Sequence, residues 1–207
     1  MFYLTVISAA TLLIALGNFL GDGVYLGSAF GLQLLFVVLG VASVFAIDGL
    51  LAFVIRRLPE RWFLPEARLF SVEAWETKLY RRSGINAWKR YVPEWGCFTG
   101  FHKDKMRAPT DSAYLGRFLL ESNYGVAGHV AGAVFGYLIL LLPFLRPWSV
   151  ALPVAVINMI LSLLPTVILR YNTPPLRRLY RRSLQREARE REAVRAESMG
   201  SRGAKQE

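Results

Sequence analysis

Apolar residues along this chain fall into four long runs, residues 2–20, 32–55, 128–145 and 150–169. Each meets or approaches the roughly 20 residues a helix needs to cross the hydrocarbon of a bilayer. Backbone groups inside hydrocarbon must be satisfied within the segment, so runs of this length predict helices. The first run has no basic flank and no polar stretch before the second, only the break GDGVYLGSAFG, and is read as a retained helix rather than a signal peptide.

Between the second and third runs lies a polar but aromatic-rich segment. Within LFSVEAWETKLYRRSG, Leu69, Phe70, Val72, Trp75, Leu79 and Tyr80 recur near helical spacing, which predicts an amphipathic helix with Ser71 as N-cap and Gly84 at its end. INAWKRYV continues as a second short helix before Pro93. Trp62, Trp75, Trp88 and Trp95 suit the headgroup depth of a bilayer, where an indole is half apolar and half wet. DSAYLGRFLLESNYGVAGHV predicts a helix capped by Asp111 or Ser112 that runs on into the third span. The expected division is two transmembrane helices in 1–55, a cytoplasmic interfacial helical segment in 56–127, two more spans in 128–169, and a basic tail in 170–207. The tail alternates charges as a solvated helix does, and its last ten residues read as disordered. The fold class is therefore all-α: a four-helix integral membrane protein with a cytoplasmic amphipathic segment between spans two and three.

Composition agrees with that pattern, since 54% hydrophobic residues and a mean hydropathy of +0.33 are too apolar for a soluble domain of this size. One cysteine and two histidines, Cys97, His102 and His129, give little material for a metal site. The net charge of +10 would suggest a nucleic-acid partner if it were spread over the surface, but of 25 Lys and Arg, 13 fall in 56–127 and 11 in 170–207. The positive-inside rule then places that loop, the tail and both termini in the cytoplasm of a multi-pass protein of the cell (inner) membrane. Anionic membrane lipids, not nucleic acid, are the expected partners of this charge.

Three places carry candidate chemistry. Glu121 and His129 stand eight residues apart, about 12 Å along a straight helix, so they share a broad face without touching. Gly125 and Gly128 between them would permit a kink, and Gly128, Gly132 and Gly136 form a ridge for a close helix contact. An ion pair with Arg117, one turn earlier, is the structural alternative for Glu121. Asp48 sits about 10 Å inside the cytoplasmic end of span two, where an ionisable group needs a partner or a wet cavity; Asn158 or Ser162 would serve as structural partner. RYNTPPLRRLYRR closes the last span, with the Pro-Pro pair as its stop, and reads either as a snorkelling stop-transfer end or as a stiff hook for a phosphate or carboxylate. There is no HxxxxD pair, no GxSxG elbow and no phosphate-binding loop, which leaves a histidine base acting on a hydroxyl as the available catalysis.

Three stretches, LYRRSGINAWKRYVPEWG, FLLESNYGVAGHV and LLPTVILRYNTPPLRRL, together resemble the glycosyl-4,4'-diaponeurosporenoate acyltransferase family over about residues 56–178. The resemblance implies transfer of a fatty acyl group to a sugar hydroxyl of a glycosylated carotenoid or glycolipid at the cytoplasmic face. It implies catalytic roles for His129 and Glu121 and substrate-binding roles for Trp88, Lys89, Arg170, Tyr171 and Asn172, with Leu176 matching the same exit motif. To these the residue-level reading adds Asp48. No bound cofactor is implied; the acyl donor would be a co-substrate such as acyl-CoA. The chain departs from the family pattern at Val126, where an acid three residues before the histidine is expected, at Val130, and at Thr173 and Pro175, where arginines are expected. Those departures keep open a second reading, a non-catalytic membrane subunit that binds pigment, lipid or a larger membrane complex.

Overall fold

The computed structural model describes residues 2–22, 29–92, 111–145 and 148–203. It is 90% helical, with no strand among the described residues, and four of its helices are long and apolar enough to span a membrane. These are α1 (Phe2–Asp22), α2 (Phe30–Arg57), α5 (Ser112–Phe135) and α6 (Trp148–Gly203), with two short helices, α3 (Ala74–Arg82) and α4 (Ile85–Trp88), between the second and third. Trp95, Cys97 and His102 lie outside the described residues.

Local signals account for most helix ends. α2 stops at Leu58, extended at ψ 153°, because a residue before proline is driven out of the helical region. Asp111 caps α5 by accepting from the Ala113 and Tyr114 N–H groups at 2.9 and 3.4 Å. Gly84 adopts φ +67°, the left-handed turn that separates α3 from α4. The α3 cap differs from the expectation: it is Glu73, in a reciprocal capping box with Glu76, while Ser71 closes a preceding 3-10 turn by donating to Arg68 O at 2.7 Å.

The third span follows the expected helix from Asp111 into the apolar run. α5 enters without a break from Ser112 and finishes as 3-10 helix over Gly136–Leu141, so Gly128 is a mid-helix position. The Pro-Pro pair, by contrast, does not stop α6, which continues through Pro153, Pro165, Pro174 and Pro175.

Two of those prolines explain how α1 docks. A proline lacks the N–H that would bond four residues back, so Pro153 frees the carbonyl of Ser149 and Pro165 that of Leu161. Asn18 Nδ2 donates to Ser149 O at 3.2 Å, and the Tyr3 hydroxyl donates to Leu161 O at 2.9 Å. α1 thus satisfies in trans what α6 gives up in cis, and a satisfied carbonyl matters most where no water can reach it.

Past the membrane α6 is not merely solvated, as alternating charge suggests. Arg170 and Arg177 reach the intervening segment at Ser71 O and Ala67 O, and Arg181 pairs with Glu66. On the other side Glu187 accepts from the Ser112 N–H and hydroxyl at 3.1 and 2.8 Å, an acid placed at the positive N-terminus of α5. Phe63, Phe70, Leu120 and Val126 pack into a core beneath the segment, with Phe63 stacked on Tyr124 at 4.2 Å and the Asn123 amide donating to Phe63 O and Leu64 O.

A candidate active site in the membrane cavity

α1, α2, α5 and α6 enclose a cavity of about 670 Å³. Its walls are mostly apolar, drawn from Tyr3 and Ile7 of α1, Val41 to Ile55 of α2 and Val154 to Leu169 of α6. Polar groups enter it in two layers.

The outer layer is charged. Glu121 is buried, its side chain 4% exposed, and both carboxylate oxygens are engaged: Oε1 accepts from Arg117 at 2.7 Å and Oε2 from Arg56 at 2.9 Å. Desolvating a carboxylate is costly unless it is paired and hydrogen-bonded, and two cations meet that cost here. Arg56 also lies over the Tyr124 ring, 5.5 Å from its centroid. Lys89, carried by the turn after α4, lines the same mouth with its ammonium 5.4 Å from the Tyr171 ring centroid. The Arg117 pairing was legible as an i, i+4 spacing; the Arg56 pairing, 65 residues away, was not.

The inner layer holds Asp48, His129, Asn158 and Ser162, all in the cavity wall. Asp48 Oδ1 is buried and has no hydrogen-bond partner, and the Asn158 amide lies beside the same carboxylate while donating to Gly132 O at 3.2 Å. The glycine ridge of α5 serves this layer instead of helix backbone contact. A Cβ on Gly132 would sit 2.7 Å from Asp48 Oδ1, and one on Gly136 would sit 2.6 Å from Asn158 Nδ2. Gly128, by contrast, has nothing within 4 Å of such a Cβ, and it opens onto the cavity. Small residues here make room for polar side chains of neighbouring helices and for the void itself.

The structure therefore brings Glu121, His129, Asp48 and Lys89 together and leaves four other sequence candidates outside the cavity walls. The Arg170 guanidinium donates to Glu76 Oε2 and Oε1 at 2.8 and 2.7 Å and to Ser71 O at 3.0 Å, a bidentate clamp that fixes α3 onto α6. Trp88 and Tyr171 pack with Ile85, Val92 and Ile168, the indole N–H donating to Ser83 O at 3.2 Å. Asn172 is half-buried on α6. Val126, at the position where an acid is expected, is buried in the core beneath the segment and does not line the cavity. Among the described residues no cluster of His, Cys, Asp and Glu is arranged to hold a metal ion.

Fold and site together define a helical protein with four spans of membrane-crossing length and a cavity in the size range of small-molecule sites. The family model of CrtO, glycosyl-4,4'-diaponeurosporenoate acyltransferase, matches residues 59–182, and the chain belongs to that family. No curated protein and no solved structure matches it.

Proposed function

We propose that this protein transfers a fatty acyl group from a thioester donor such as acyl-CoA to a sugar hydroxyl of a glycosylated carotenoid or glycolipid at the cytoplasmic face of the cell membrane. The observation that carries this reading is a cavity that combines a cationic mouth, apolar walls and His129 set in one wall. The charged part of the donor meets Arg56 and Lys89, whose positions Glu121 and Tyr171 fix. The acyl chain lies along the α1 and α6 walls.

His129 acts as general base. The imidazole takes the proton of the sugar hydroxyl as its oxygen attacks the thioester carbonyl. The C–S bond then breaks, the thiolate leaves and recovers that proton from the imidazolium, and an ester and a free thiol result. The apolar walls exclude the water that would otherwise hydrolyse the donor. Loop, tail and both termini face the cytoplasm in this arrangement, as the segregation of basic residues favours.

The test is mass spectrometry of membrane lipids and pigments from cells lacking this chain, complemented with wild type or with His129→Ala. An acylated glycoside that disappears, returns with wild type and stays absent with His129→Ala is the expected result. Unchanged lipids together with the collapse of a co-purifying membrane complex would instead identify a non-catalytic subunit.

A further inference from the structure

Asp48 is a buried acid that this reaction scheme does not use, and its place in the helix register gives it a task. α2 and α5 run antiparallel, because Arg56 meets Glu121 at one level while Asp48 meets Gly132 at another. Counting eight residues inward from Arg56 on α2 reaches Asp48. Counting eight inward from Glu121 on α5 reaches His129. Both steps are about 12 Å, so Asp48 and His129 lie within about one turn of each other in depth on facing helices. The contact of Asp48 with Gly132 sets the carboxylate about one turn beyond His129, on the face that positions three apart share. Both side chains line the same cavity, and Asp48 Oδ1 has no hydrogen-bond partner.

We propose that Asp48 is the positioning carboxylate of His129, supplied from α2 in place of an acid on the histidine's own helix. The proposal rests on the reading of His129 as general base. A carboxylate that accepts from one imidazole N–H fixes the tautomer, turns the other nitrogen's lone pair toward the cavity, and stabilises the imidazolium that forms when the sugar hydroxyl is deprotonated. Gly132 belongs to the device: any larger residue would drive a Cβ into Oδ1 and push the carboxylate off the α5 surface. The other titratable groups in the cavity wall are Tyr3 on α1, Arg56 on α2, Lys89 after α4, and Glu121 and Tyr124 on α5. Of these Arg56 and Glu121 already hold each other, about 12 Å above the imidazole.

The test is ¹⁵N NMR of histidine-labelled protein in lipid nanodiscs, with the His129 signals assigned by His129→Gln, read beside acyl transfer from palmitoyl-CoA to a glycosylated carotenoid. Wild type is expected to show one His129 tautomer with a strongly downfield N–H proton. Asp48→Asn and, separately, Gly132→Ala should convert it to a tautomer mixture. Both should lower kcat about 10- to 100-fold with KM within about threefold, and Asp48→Asn should cost nothing further in a His129→Ala background. Gly132→Ala keeps the test open should Asp48→Asn fail to fold, as it alters no ionisable group. A His129 spectrum unchanged in the folded variants overturns the proposal whatever the activity does. A wild-type spectrum that shows the pair, in a protein that transfers no acyl group, supports the pairing and sinks the enzymatic reading alone.

Discussion

Glu76 and Glu121 are two buried acids, each held by an arginine from another element, and they do different things with that arrangement. Glu121 anchors cations at the rim of the cavity, whereas Glu76 is the socket into which Arg170 locks the interfacial segment. The Arg170 guanidinium holds the Glu76 carboxyl below the usual carboxylate range, aided by the Tyr80 hydroxyl and the Glu73 N–H and opposed by burial. Burial, and then Glu76 itself, pushes Tyr80 up. A carboxylate depressed in the folded state contributes stability that is fully present above its unfolded value, about 4.3, and is lost as pH falls through the lower folded value. Acidification through and below that range should therefore loosen α3 and α4 from α6, read as a change in Trp88 fluorescence. Glu76→Gln, which keeps the shape and removes the charge, should weaken docking of the segment by about 2 kcal/mol and abolish its acid transition.

At the scale of elements, the docking of α1 on α6 depends on prolines more than on apolar fit. The two helices share apolar faces, but α1 leaves many leucines exposed to the surroundings, Leu4, Leu12, Leu13 and Leu20 among them. Lipid tails compete well for such faces, so directional bonds select the register. Tyr3→Phe and Asn18→Leu should each cost about 1 kcal/mol in thermal unfolding in detergent micelles. The informative combination is Tyr3→Phe with Pro165→Ala. Alanine restores the N–H that Leu161 O lacks, so Tyr3→Phe should become nearly neutral in that background. The same comparison separates the hydroxyl's bond from its packing, since phenylalanine keeps the ring that lines the cavity.

For the whole molecule α6 is the spine. Its apolar half closes the cavity, and its basic half grips the interfacial segment and the start of α5. The contacts differ in strength. The Arg181–Glu66 pair is exposed on both sides and adds little, as surface ion pairs do. Arg177, half-buried against Ala67 O, and Arg170 in its bidentate clamp add more. Truncation after Leu176 should leave the four spans inserted while residues 59–71 and the first turn of α5 become sensitive to protease. Arg177→Ala should reproduce part of that sensitivity and Arg181→Ala almost none.

The sequence by itself determined what depends on neighbours in the chain: four helical spans from the length of the apolar runs, the start of α5 from Asp111, the turn at Gly84, the Arg117–Glu121 pair from its spacing, and the family from motifs in order. Each of these follows from periodicity, capping or composition within a few residues. Only the tertiary structure decided that Arg170 belongs to Glu76, 94 residues away, that Arg56 belongs to Glu121, and that Pro174 and Pro175 stay inside a helix. It also decided that the glycines of α5 receive Asp48 and Asn158. Those outcomes depend on the register between helices. Register is set by the sum of many contacts across an interface, and no stretch of sequence contains that sum.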